Sequence, residues 1–128
     1  MDTRSKILTL AGALELRPPV VMATGYFDVL RAEDARKLQK IRDRTGGQTL
    51  VVAVLPLAGE LLSQRARAEL VAALRVVDYV VTADDGDVER LTESLKPAEV
   101  ARLEAEHARR NALWARQLRE HVHRCQTS

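Results

Sequence analysis

A chain of 128 residues, 46% of them hydrophobic, supports one domain with a modest core and leaves little room for a second. Twenty Lys and Arg against eighteen Asp and Glu give a formal net charge of +2, with arginines interspersed among acids, so no nucleic-acid partner is expected. The single cysteine, Cys125, excludes an intrachain disulfide framework and fits a cytoplasmic protein.

The opening segment, MDTRSKILTLAGALEL, carries basic residues ahead of a short apolar stretch. Glu15 closes that stretch, and Leu10 and Leu14 recur at helical spacing, so an amphipathic helix is expected rather than a leader. Pro18-Pro19 breaks the backbone, and VVMATG, 20–25, is a β-branched apolar run ending in Gly25, a buried strand. AEDARKLQKIRDR places Ala35, Leu38 and Ile41 on one face of a helix that stops at Gly46-Gly47. TLVVAVL, 49–55, is a second strand, apolar enough to be buried on both faces. LLSQRARAELVAALRV then reads as a helix and VDYVVTA, 77–83, as a third strand, giving an α/β protein with a parallel sheet. ADDGD, 83–87, lacks the spacing of a cation loop and is better explained as a turn followed by a helix N-cap.

Beyond Pro97 there is no further proline or glycine up to about Arg124, and Val100, Leu103, Trp114, Leu118 and Val122 keep helical phase. One long helix is therefore expected over 97–125, attached to a core over 1–97 within a single domain, 1–128. All three histidines, His107, His121 and His123, fall in that helix. His121 and His123 point to different faces, so no metal site is expected, and Cys125 near His121 reads as solvated tail. The longest apolar run, LVVAVLPLAG, is half a bilayer span, so no membrane partner is expected either.

GYFDVLRAEDARKL, 25–38, resembles the signature Gly-x-Phe-Asp-x-x-His-x-Gly-His of the cytidylyltransferase-like nucleotidyltransferases, a group with glycerol-3-phosphate cytidylyltransferase and the heptose-phosphate adenylyltransferase domain among its members. The similarity continues at VVAV, 51–54, and in RAELVAALRVVDYVV, 67–81, so that it covers residues 5–97 in order. It implies a Rossmann-like three-layer fold, truncated here to a short parallel sheet and a long C-terminal helix. It also implies transfer of a nucleotidyl group from a nucleoside triphosphate to a phosphorylated metabolite, with the signature histidines stabilising charge on the phosphates.

Gly25, Phe27 and Asp28 match the signature, whereas Arg31 and Asp34 stand where the two histidines would be and Glu33 replaces the glycine. Negative charge in the first turn repels a triphosphate from the helix N-terminus. LPLAGELLSQRA is shorter than the family's phosphate-closing loop and has no lysine, and neither the family's later strands nor its Ser-Thr-Thr/Ser element is expected here. The resemblance thus implies a degenerate protein with no assigned catalytic residue, able at most to hold a nucleotide or a sugar or polyol phosphate. That ligand would lie on Thr24, Gly25, Tyr26, Phe27, Arg31 and Arg67. No cofactor is expected, and magnesium only with a nucleotide in an active enzyme. The alternatives are a working nucleotidyltransferase using Arg31 and Arg67, and a purely structural assembly protein. A three-stranded sheet would leave the first strand as an open edge, so the long helix is expected to cover it and the protein to be a homodimer.

Overall fold

The computed structural model describes the backbone of residues 2–127 and the side chains of 2–114 and 116–121. After a 3-10 turn at Thr3–Lys6 the elements run β1 (Ile7–Leu8), α1 (Leu10–Leu14), β2 (Val20–Gly25), α2 (Ala32–Arg44), β3 (Thr49–Val54), α3 (Gln64–Ala72), β4 (Tyr79–Thr82), α4 (Asp85–Leu95), β5 (Val100–Arg102) and α5 (Glu104–Thr127). They build one five-stranded parallel sheet in the order β1-β4-β3-β2-β5.

Three strands lie where the apolar runs place them, and alternate side chains feed opposite faces. Val21, Ala23, Leu50, Val52 and Val80 pack against Leu38 and Ile41 of α2 and Ala68 and Val71 of α3. Val20, Met22, Val51, Ala53 and Val81 pack against Ala13 of α1 and Val88, Leu91 and Leu95 of α4. Each fully buried leucine or valine contributes about 1.5–3 kcal/mol, and the two faces give the three-layer α/β fold.

Helix boundaries follow local chemistry. α2 ends before Gly46 and Gly47, whose φ angles of 77° and 76° are unfavourable for other residues. Asp84 caps α4 by accepting from the Asp87 N–H at 2.8 Å, and Asp87 accepts in return from the Asp84 N–H.

Two expectations are corrected. The opening segment is a 3-10 turn, a two-residue strand beside β4 and a five-residue helix, because Thr9 caps a new helix by accepting from the Gly12 N–H. The region beyond Pro97 is not all helix. Ala98 N–H donates to Val20 O, Met22 N–H to Glu99 O and Leu103 N–H to Thr24 O, so this stretch forms a ladder on β2 before α5 begins. The first long strand is therefore interior, and the open edge inferred from three strands does not exist. Among the described residues no helix is long and apolar enough to cross a membrane.

Candidate functional site

β3 and β4 step outward from one side of β2, and β5 lies on its other side. Strand order thus reverses between β2 and β5, and the carboxyl ends of these two strands frame a crevice of the kind that holds ligands in open α/β sheets. A further strand, expected to be missing, supplies its second wall. The turn Gly25-Tyr26-Phe27 forms the floor, with Phe27 fully buried at φ 52°, a left-handed conformation strained for a non-glycine residue.

The two N–H groups that this turn could offer to a phosphate already have an acceptor. His107, one turn into α5 and 2% exposed, receives the Tyr26 N–H at 3.1 Å and the Phe27 N–H at 3.3 Å on Nδ1. Its ring stands edge-on to Phe27, with centroids 4.6 Å apart. Gly25 is required by this approach, since a Cβ there would lie 2.6 and 2.7 Å from the imidazole. Accepting at Nδ1 leaves the ring proton on Nε2, which faces Asp34 Oδ1 at 3.4 Å.

Asp34 joins this imidazole to an ion pair. Arg110 donates to both of its oxygens, at 2.9 and 3.0 Å, to Glu33 at 2.7 Å and to the Val29 carbonyl at 3.2 Å. The Arg31 N–H also donates to Asp34 at 2.9 Å, closing the first turn of α2. Burial works to raise the Asp34 carboxyl, but the hydrogen bonds from His107, Arg110 and the Arg31 N–H outweigh it and hold the group well below its ordinary value. The acids that the sequence sets at the α2 N-terminus thus serve an internal network.

The remaining expected binding residues fall in two groups. Thr24, Gly25, Tyr26, Phe27 and Arg67 are brought together, whereas Arg31 stands at the α2 N-cap with an exposed side chain. Thr24 Oγ1 donates to Glu104 at 2.7 Å. Arg67 is fully buried on α3, with Nη1 donating to the Tyr26 and Leu55 carbonyls, both at 2.8 Å, Nε to the Leu62 carbonyl at 3.2 Å, and Nη2 paired with Glu60. A guanidinium so engaged braces the turn from behind. Asp28 likewise receives the Leu61 and Leu62 N–H groups and ties the β3–α3 loop to the signature turn.

His107 and Arg110 are the residues that sequence reasoning missed. Their signal was spacing, because His107 fills the interval between Leu103 and Trp114 on the stripe used to infer the helix. The side chains of Val122, His123 and Cys125 lie outside the described residues. Among the described residues no group of three or more His, Cys, Asp or Glu side chains is arranged to hold a metal ion.

No protein-family model matches the sequence. It is 35% identical over 113 residues to the bifunctional protein HldE of Geobacter metallireducens, and 35% identical over 107 residues to that of Helicobacter pylori. These alignments take in 76% and 75% of this protein but 23% of each relative, so it spans under a quarter of the length of the curated relatives it matches. A lipopolysaccharide core biosynthesis protein from Thermoplasma volcanium superposes with a TM-score of 0.56 at 27% identity, over 64% of this protein and 71% of that one. With the parallel sheet and the signature turn at its switch point, these likenesses place the protein in the cytidylyltransferase-like superfamily, as a nucleotidyltransferase-like member.

Proposed function

We propose that the protein is a catalytically degenerate member of the nucleotidyltransferase fold that acts as a binding or interaction module. The observation that carries this reading is the His107 imidazole seated on the Tyr26 and Phe27 N–H groups. A nucleotide, or a sugar or polyol phosphate, is the proposed ligand class. Its phosphate reaches these donors by displacing the imidazole, with Arg31 as the exposed cation at the start of α2. Replacement of both signature histidines removes preorganised charge stabilisation, and loss of one such group alone costs about 10²–10³ in rate.

Purified protein given ATP or CTP with sugar or polyol phosphates is therefore expected to release no pyrophosphate above background. Multiple turnovers would establish the competing reading, a working transferase using Arg31 and Arg67. Thermal-shift titration with the same compounds separates a binding module from a purely structural protein, since a ligand at a hundred times its Kd adds about 2.7 kcal/mol. Homodimer formation is part of the proposal, supported by the exposed Leu113, Trp114 and Leu118 on α5.

A further inference from the structure

Thr3 and Lys6 precede β1, while Ala73, Arg75, Val77 and Asp78 precede β4, and since β1 and β4 run parallel these residues gather at the amino ends of the strands, away from the crevice. They line an open pocket of about 380 Å³. We infer that this pocket binds a small organic dianion, two negative charges on a short carbon skeleton, through Lys6, Arg75 and the Thr3 hydroxyl.

The charges around the pocket select such a ligand. Each acid on the segments that wall it, residues 2–6, α3 and residues 73–78, already has an arginine: Asp2 pairs with Arg4 at 3.2 Å, Glu69 with Arg65 at 3.4 Å and Asp78 with Arg42 at 3.5 Å. Asp78 is further occupied by the Leu50 N–H at 2.8 Å. Lys6 and Arg75 are left without an acid. Lys6 Nζ donates to the Leu74 carbonyl at 3.2 Å, and Arg75 has no hydrogen bond or ion pair among the described residues. An ammonium carries three donors and a guanidinium five, so most of these N–H groups have no acceptor in the protein. Two unmatched cations on one pocket repel each other; a dianion neutralises both, whereas a monoanion leaves one charge standing. Ala73 and Val77 add an apolar surface that methylenes cover and a bare inorganic ion does not. A ligand bridging Lys6 and Arg75 also ties the first turn of the chain to the α3–β4 connection, and so clamps β1, which joins the sheet only through Ile7 beside Val80 and Leu8 beside Val81.

Calorimetry and amide NMR spectra at low salt, where exposed charges are weakly screened, test this with succinate, propyl phosphate, propionate and putrescine. Saturable binding of succinate or propyl phosphate is expected, with amide shifts centred on Thr3, Lys6 and 73–77, and the tighter of the two identifies the anion as carboxylate or phosphate. Propionate should bind more weakly, and putrescine should not bind. Arg75→Gln should raise the Kd about 2- to 5-fold and Arg75→Glu should abolish binding; the Arg75 side chain braces nothing, so both variants should keep the fold. Absence of saturable binding by both dianions, propionate binding as tightly as they do, or an affinity unchanged in Arg75→Glu overturns the proposal. Shifts confined to Gly25, Tyr26 and Phe27 overturn it too, and assign the anion to the crevice.

Discussion

The His107 imidazole holds the signature turn on one side and is held by Asp34 on the other, so the three parts stand or fall together. Gly25→Ala drives a Cβ into that ring and to 2.9 Å from the Phe27 ring, an overpacking expected to cost about 1–3 kcal/mol. In a His107→Ala background the imidazole is gone and the Phe27 contact alone remains, so the cost should shrink, giving a coupling of about 0.5–3 kcal/mol in a double-mutant cycle followed by urea unfolding. Additive effects would separate the glycine from the histidine. Asp34 makes the same network sensitive to acid. Its folded-state pKa is depressed below the ordinary 3.8, so its contribution to stability is complete above that value and is lost as pH falls toward the folded pKa. Unfolding midpoints measured from neutral pH down through the acid range should drop below about pH 4, and Asp34→Asn should flatten that limb. The replacement of the signature histidines was legible in the sequence. The fate of the acids was not, because Arg110 and His107 are far along the sequence and only the β5–α5 path brings them back.

At the scale of elements, long strands and capped helices declared themselves, whereas β1 and β5 did not. Two or three residues cannot establish a period-two pattern. Val100 and Leu103 are also three apart, so the start of a three-residue strand and the entry to α5 mimicked one helical stripe. Pairing with an already formed β2, rather than local propensity, decides this segment. Arg67 shows the opposite case, a residue whose helix was read correctly and whose surroundings were not. Its guanidinium bonds the end of β3, the turn after β2 and the intervening loop, so Arg67→Met should destabilise the fold by about 3 kcal/mol or more. Urea denaturation measures this, and a loss under about 1 kcal/mol would mean that water replaces the guanidinium at those carbonyls.

For the whole molecule, the sheet itself gives no reason to associate, since its edges are the short β1 and β5. The argument for a homodimer lies in α5, a 24-residue helix that carries, beyond the buried His107, Trp114 and Leu118 exposed on one side. Light scattering should then report twice the 14.3 kDa protomer mass, and Trp114→Ala with Leu118→Ala should lower it; a stable monomer at high micromolar concentration would end the proposal. The brevity of β5 also sets how the molecule comes apart. Three paired residues are an easily opened part of the sheet, and opening them bares VVMATG, a segment with no charge and no proline. Acid that neutralises Asp34 loosens the helix anchoring that strand, so damage begins by peeling, and peeled molecules can recruit one another into cross-β fibrils while the rest of each sheet is still folded.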